Sequence, residues 1–180
     1  MINYIREFLK HIGEDPDREG LIDTPKRVVK SWTELYAGYG QDPSKILSTC
    51  FVDGACDEIV ILKNIEFSSM CEHHVLPFVG SVDVGYIPNG KVVGLSKLAR
   101  LVECFAKRLQ IQEKMTSQIS DAINTNLKPK GVAVVIRAHH QCMSCRGVKK
   151  HQTTMITSSM VGVFRDNMSA RQEFLRLARD

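Results

Sequence analysis

Several patterns that would direct a chain to a membrane or to secretion are missing from this sequence. No apolar run approaches the roughly 20 residues that are needed to cross a bilayer, so we expect no membrane partner. Residues 1–7 lack the charged and then apolar pattern of a signal peptide. Disulfides are also unnecessary, since a chain of 180 residues can bury a core without them. We therefore expect a cytoplasmic protein whose six cysteines are reduced.

The sequence also lacks a large excess of one charge and lacks the repeats or linkers of a multidomain chain. The 24 Lys and Arg residues against 20 Asp and Glu residues give a formal net charge of +4, which is well short of a nucleic-acid-binding domain. The chain has no repeats, linkers or low-complexity tracts, and no glycine-rich dinucleotide signature. We therefore expect one domain and no nucleic-acid partner, with a basic surplus that suits a small polyanion.

The hydrophobic patterns that are present predict helices first and then a mixture of strands and helices. Residues 1–56 are interpreted as an N-terminal helical region, in which Thr24 is the predicted N-cap of the second helix. Later helices are predicted to be capped by Ser96 and by Ser169. In residues 57–180, strands are predicted at 59–62, 81–86 and 132–136, with an antiparallel return at 92–93 and a hairpin formed by 153–157 and 161–164. This order predicts one continuous α+β domain with antiparallel strands.

Two short patches concentrate thiols and imidazoles, which are the side chains that zinc prefers over carboxylates. The first is Cys-Glu-His-His at 71–74, and the second is His-His-Gln-Cys-Met-Ser-Cys-Arg at 139–146. Cys71 and His74 are three residues apart, so one turn of chain can present both to one ion. A third ligand must then come from the second patch, from Cys142 or His140. The sequence therefore predicts a zinc (Zn²⁺) site.

Spacing alone does not decide whether this zinc is structural or catalytic. Cys71, His74, Cys142 and Cys145 would close a structural site by count, whereas a catalytic site uses three protein ligands and keeps one position for water. Surplus imidazoles favour the catalytic site, since a structural zinc has no use for the proton carriers His73, His139 and His140 beside it.

Four segments resemble a known family closely and occur in its order. They are 67–74 (FSSMCEHH), 94–100 (GLSKLAR), 112–114 (QEK) and 142–147 (CMSCRG). These motifs resemble those of GTP cyclohydrolase I of the zinc-dependent type, from about Thr24 to the C-terminal helix. The resemblance implies an enzyme that opens the imidazole ring of GTP, expels C8 as formate, rearranges the ribose and recloses to 7,8-dihydroneopterin triphosphate. That reaction is the first step of tetrahydrofolate and pterin biosynthesis.

The resemblance also implies roles for particular residues of this chain. Cys71, His74 and Cys142 would bind zinc, with water in the open position and Cys145 standing aside. His140 would protonate N7 of the purine during ring opening, and His73 would serve later proton transfers around the ribose. The implied substrate contacts are Glu113 and Gln112 on guanine, Lys97, Arg100 and Arg146 on the triphosphate, the Ser96 hydroxyl, and Arg27 from another subunit.

The family's fold is the tunnelling fold, an antiparallel sheet with a pair of helices on one side. In that fold the sheets of several subunits join into a barrel, and two rings would stack here as a homodecamer with active sites between subunits. Residues 57–180 would form this catalytic region. Two alternatives are a structural zinc module that binds a macromolecule, and a tunnelling-fold reductase of a modified guanine that uses a cysteine nucleophile and a nicotinamide cofactor.

Overall fold

The computed structural model describes residues 1–54 and 56–179 of the chain. The helices are α1 (Ile2–His11), α2 (Thr24–Leu35), α3 (Pro43–Ile46), α4 (Leu95–Ala106), α5 (Gln112–Leu127), α6 (Gln141–Ser144), α7 (Val163–Asp166) and α8 (Met168–Leu177), with a short 3-10 helix at Ala37–Gly40. The strands are β1 (Cys50–Phe51), β2 (Val60–Cys71), β3 (Pro77–Ile87), β4 (Val92–Val93), β5 (Leu109–Gln110), β6 (Gly131–His140) and β7 (Met155–Gly162). Within these residues no helix is both long enough and apolar enough to cross a bilayer.

The main sheet has five strands in the order β5-β2-β3-β6-β7. Its four long strands pair antiparallel with their neighbours, and only the two-residue β5 is parallel, beside the end of β2. The predicted α+β class with an antiparallel sheet is therefore confirmed.

Alternating side chains on β6 divide the core between the two faces of this sheet. Val132, Val134 and Ile136 face a core that includes the apolar sides of α4 and α5. Ala133 and Val135 point the other way, into a smaller cluster formed with α7 and α8. The expected helix pair on one face is thus present, and the C-terminal helix additionally covers part of the opposite face.

A buried ion pair lies on that opposite face. Asp83 of β3 is fully buried and accepts a hydrogen bond from the guanidinium of Arg137 on β6. Its other carboxylate oxygen accepts the backbone N–H of Asn64 at 2.9 Å, where the pairing of β2 with β3 is irregular. Arg137 also donates to the carbonyl of Ala178 at 3.3 Å. The pair therefore joins three strands to the C-terminal end of the chain.

Two predicted strand pairings are wrong. Val92–Val93 does not return along β3 but pairs antiparallel with Cys50–Phe51, because β2 and β6 already occupy both edges of β3. The hairpin predicted at 153–157 and 161–164 is instead one continuous strand, Met155–Gly162, paired along its whole length with β6. The apolar run after Gly162 turns into the short helix α7.

The predicted helix caps are displaced by one or two residues. Asp23 rather than Thr24 precedes α2, and Gly94 precedes α4, so that Ser96 lies inside the first turn of that helix. At α8 the cap is Asn167, whose side chain accepts the backbone N–H of Ala170 at 3.1 Å, instead of Ser169. Adjacent polar residues compete for a cap position, and their spacing alone does not decide the outcome.

One end of the sheet gathers the segments that contain the His/Cys patches. β2 ends at Cys71, β3 begins at Pro77, β6 ends at His140 and β7 begins at Met155. The start of α4 lies at the other end, since the N–H of Val93 just before it donates to the Tyr86 hydroxyl at 3.1 Å and Tyr86 pairs with Val60.

Candidate functional site

Three metal-ligating atoms converge at this end of the sheet. The sulfurs of Cys71 and Cys142 and a ring nitrogen of His74 all lie within 4.8 Å of one another. This donor set of two thiols and one imidazole suits zinc. Among the described residues Cys145 is not part of the group, and its side chain is exposed.

A tight turn between β2 and β3 brings His74 back toward Cys71. The Cys71 N–H donates to the carbonyl of Leu76 at 2.8 Å, and the Cys71 carbonyl accepts the N–H of Val75 at 2.9 Å. Val75 has a φ of 51°, a left-handed conformation that is costly for a β-branched residue. Strained backbone of this kind persists where the surrounding structure over-determines it, often at a functional site.

The third member of the group arrives from a different part of the chain. β6 delivers His140 opposite Phe78 of β3, and Cys142 follows in the single turn of α6. Burial, and then the neighbouring thiol of Cys71, raise the pKa of Cys142. Without a cation the thiol therefore holds its proton, and a divalent cation between the two sulfurs would favour the thiolate.

His140 is held by a ring stack and by a hydrogen bond. Its ring lies parallel to that of Phe78, with a 3° angle between the planes and 4.6 Å between the centroids. Its Nε2 is 2.8 Å from the Oε1 of Gln112. Burial lowers the pKa of His140, while the negative charge of Glu113 acts in the opposite direction. The imidazole is therefore a neutral group near pH 7 that can accept and return a proton.

A cavity of about 450 Å³ lies over these groups. Cys71, His74, Cys142 and His140 all line it, together with His73 and Glu113 and with residues 153–155 of the segment that leads into β7. His73 is exposed, and its ring stands at 80° to that of His74 with 6.4 Å between their centroids. The cavity thus combines a metal-ligating group with two further imidazoles and one carboxylate.

Gln112 and Glu113 occupy the first turn of α5 but face different surroundings. Gln112 is 1% exposed and its amide is bonded to protein groups, whereas Glu113 is exposed at the cavity. Both residues border the cavity, but within the described part of the chain only Glu113 presents an unbonded polar group to it.

The remaining predicted substrate residues lie outside the cavity of their own chain. Ser96, Lys97 and Arg100 are in the first half of α4, toward the opposite end of the sheet. Arg146 is exposed just after α6. Arg27 is exposed on α2, 3.5 Å from the carboxylate of Asp23. The chain therefore brings together the metal-ligating and proton-carrying candidates, but not the basic ones.

Phe78 and the segment 153–155 were missed by the sequence analysis. Phe78 is fully buried and also meets the ring of Phe67 edge-on, with 5.7 Å between the centroids. Nothing in the sequence distinguishes it from other core aromatics, because its role depends on the register that places it opposite His140.

Comparisons with known proteins identify the relatives of this chain. Residues 1–179 match the family model described as GTP cyclohydrolase I. GTP cyclohydrolase 1 of Wolinella succinogenes is 63% identical over 171 residues, which are 95% of this chain and 91% of the relative. The enzyme of the same name from Rickettsia felis is 54% identical over 175 residues (96% and 92%), and that of Helicobacter pylori is 48% identical over 177 residues (98% and 98%).

Two solved structures are more distant. The apo archaeosine synthase QueF-Like is 18% identical with a TM-score of 0.48, over 58% of this chain and 93% of that one. Dihydroneopterin aldolase from Burkholderia thailendensis bound to guanine is 13% identical with a TM-score of 0.41, over 64% of this chain and 93% of that one.

Proposed function

The chain belongs to the GTP cyclohydrolase I family, and we propose that its cavity opens GTP with a zinc ion held by Cys71, His74 and Cys142. The family's reaction hydrolyses the imidazole ring of GTP, releases C8 as formate and recloses the product to 7,8-dihydroneopterin triphosphate, the first step of pterin and folate biosynthesis. The observation that carries the proposal is the convergence of three ligand atoms within 4.8 Å in a cavity that His140 also lines.

Zinc is the proposed ion because two thiols and one imidazole are donors that it prefers, whereas magnesium and calcium prefer oxygen. When bound by three protein ligands, zinc keeps one position for water and lowers the pKa of that water to about 7. Thiolate ligands need a reducing compartment, which supports a cytoplasmic location.

His140 is the proposed proton donor to N7 of the purine. C8 of the purine is a weak electrophile, and a proton on N7 withdraws electrons from it. Burial lowers the pKa of His140 below its ordinary value, and the negative charge of Glu113 acts in the opposite direction. His73, at the exposed rim of the same cavity, would transfer protons during the later ribose steps.

Glu113 is the proposed recognition group for guanine. A carboxylate can accept two parallel hydrogen bonds, from N1–H and from the exocyclic amine. Glu113 is exposed at the cavity in the first turn of α5. Its charge also favours the protonated form of His140, which couples guanine recognition to the proposed acid.

The triphosphate would be bound at an interface between subunits. Lys97, Arg100 and Ser96 begin a 12-residue helix that is about 18 Å long and whose other end leads to the cavity. These residues are too far from their own chain's cavity to complete it, so we propose that they serve the cavity of a neighbouring subunit. Arg146 lies outside the cavity but close enough for its charge to act on Cys142, and would contribute from the same chain, with Arg27 from another.

A homo-oligomer also explains the edges of the sheet. Within the described residues β7 has no strand on its outer side. Exposed edges of this length are normally covered, and a symmetric assembly can cover them by pairing strands between subunits. We propose a decamer made of two stacked rings, with residues 57–180 as the catalytic region of each subunit and 1–56 as an N-terminal helical region.

The first experiment incubates purified, zinc-replete protein with GTP and measures formate together with the fluorescence of the oxidised pterin. Equal amounts of both products are expected. Formate without pterin would mean ring opening without reclosure and would direct attention to His73. Neither product, with zinc bound and the oligomer intact, would contradict the proposed activity.

The proposed ligand set has its own test. Cys142→Ser should lose both zinc and turnover, whereas Cys145→Ser should keep both, since the Cys145 thiol lies outside the converging group. Zinc content measured by atomic absorption reports on the ligands independently of activity. A zinc-depleted Cys145→Ser protein would contradict the three-ligand assignment.

A further inference from the structure

We propose that Gln112 is a positioning residue that fixes the orientation of His140 and the placement of its ring hydrogen, and that it does not contact guanine. This inference rests on the proposed function, in which His140 supplies a proton to the purine. It reassigns a residue for which the family resemblance implied substrate contact.

The orientation of the Gln112 amide follows from its partners. Its Nε2 lies 3.2 Å from the carbonyl of Ile136, 3.1 Å from the carbonyl of Met155 and 3.1 Å from the hydroxyl of Thr157. Carbonyl oxygens can only accept hydrogen bonds, so the NH₂ group of Gln112 must face them. The amide oxygen is then the atom that lies 2.8 Å from the Nε2 of His140.

Two hydroxyl groups support the same orientation. The Thr116 hydroxyl donates to the backbone carbonyl of Gln112 at 2.7 Å. It is also 2.7 Å from the Thr157 hydroxyl, which must therefore be the donor in that pair. The lone pairs of Thr157 remain free to accept from the Gln112 amide. The hydrogens of the two hydroxyl groups can therefore be placed without conflict with the Gln112 amide.

The consequence for His140 is a defined placement of hydrogen. Since the Gln112 oxygen only accepts, Nε2 of His140 must carry a hydrogen and donate it. In the neutral ring, Nδ1 is then the nitrogen with a free lone pair. Within residues 1–54 and 56–179, Nδ1 has no hydrogen-bond partner. Nδ1 is therefore the ring atom that remains free to bond to a substrate.

Phe78 completes the restraint. The parallel stack at 4.6 Å holds the plane of the imidazole, while the Gln112 bond fixes its rotation within that plane. A ring flip would break the bond to Gln112, because it would exchange Nε2 with the carbon Cε1 opposite the amide oxygen. Second partners of this kind commonly set the tautomer of a functional histidine.

Gln112 borders the cavity, but its amide offers no free polar group to a substrate. Gln112 is 1% exposed, and both ends of its amide are already bonded to protein groups. A guanine would have to displace those bonds to reach it. Recognition of the base by this pair of residues is thereby assigned to Glu113.

The test uses Gln112→Met, which keeps the length of the side chain but removes its hydrogen bonds. We expect kcat for formate release to fall on the order of 10–100-fold, which is less than the full contribution of about 10²–10⁴-fold from a positioned acid. KM for GTP should stay within about twofold, because no contact with substrate is lost. A large rise in KM with kcat unchanged would overturn the proposal in favour of guanine contact.

A double-mutant cycle separates positioning from general damage. On a His140→Asn background, Gln112→Met should cause no further loss of kcat, since the residue acts through His140. Independent, multiplicative losses would overturn the proposal. Gln118→Met is the matched control on the same helix: its amide oxygen accepts from Gln110 at 2.9 Å, and we expect little change in kcat. Zinc content and oligomeric state are measured for every variant.

A second measurement does not depend on activity. Full-length protein labelled with ¹⁵N-histidine is examined by solid-state NMR in the pH range where the imidazoles are neutral, with His140→Asn used to assign the signal among the six histidines. The Nε2–H form is expected for His140, and the Nδ1–H form would overturn the proposal. If the unaltered protein released no formate from GTP, the proposed activity would fail while this readout still tested the role of Gln112.

Discussion

Replacing Gly80 by alanine should test the register that builds the site. Gly80 lies on β3 and pairs with Ala138 of β6, two residues from the pair formed by Phe78 and His140. A Cβ at this position would lie 1.9 Å from the carbonyl oxygen of Arg137 and 2.7 Å from the Cα of Ala138. Both contacts are with backbone, so no side chain can rotate away to make room.

The magnitude follows from this geometry. Real Cβ contacts stay above 3.0 Å, so β3 and β6 must separate by roughly 1 Å at Gly80. Overpacking of this kind costs about 1–3 kcal/mol in the free energy of unfolding. In a chain of this size each kcal/mol lowers the melting temperature by about 2–4 °C. Because His140 lies two residues away, a shift of about 1 Å should also lower kcat on the order of 100-fold.

The assay combines thermal unfolding with the rate of formate release from GTP. Gly40→Ala is the matched control, since its added Cβ would meet nothing within 4 Å and its φ is not in the left-handed region. That variant should keep both the melting temperature and kcat. Unchanged stability and turnover in Gly80→Ala would refute the close approach of the two strands and the placement of His140 derived from it.

Two further predictions concern charge. Asp83→Asn should lower the free energy of unfolding, measured by urea titration, by about 1.5–3 kcal/mol, because its buried carboxylate loses a charged hydrogen bond to Arg137, whose guanidinium is 30% exposed. Asp57→Asn is the control: its ion pair is exposed, and no measurable change is expected. Equal effects of the two substitutions would contradict a stabilising role for the buried Asp83 carboxylate. Zinc affinity should fall as pH falls. Burial and the Cys71 thiol raise the pKa of Cys142, so its thiol must release a proton when zinc binds. Calorimetry in buffers of different ionisation enthalpy should detect the released proton, and a zinc affinity that does not change with pH would contradict this prediction.

Local patterns in the sequence were sufficient for most elements and for part of the site. The α+β class follows from periodicity within single segments, which does not depend on distant contacts. Cys71 and His74 could be paired because one turn connects them. The residues alone left the third ligand open between Cys142 and His140, and the family resemblance selected Cys142. The structure brings the three ligand atoms of that set within 4.8 Å.

Non-local pairing could not be predicted in the same way. Val92–Val93 has the pattern of a hairpin return, yet it pairs with Cys50–Phe51, since which strand edges are free depends on the whole sheet. Similarly, the apolar residues of 155–164 are compatible with a hairpin, and only the full length of β6 beside them decides for one strand.

The sequence by itself determined which chemistry is possible here, because the types of donor atom and their local spacing are properties of the chain. Only the tertiary structure decided how each group is used. Gln112 and Glu113 are adjacent in sequence and both border the cavity, yet the Gln112 amide is buried and bonded to His140, whereas Glu113 is exposed. The physical reason is that a hydrogen bond or a ring stack depends on ångström-scale distances between strands and helices that are far apart along the chain, and that register and packing set these distances.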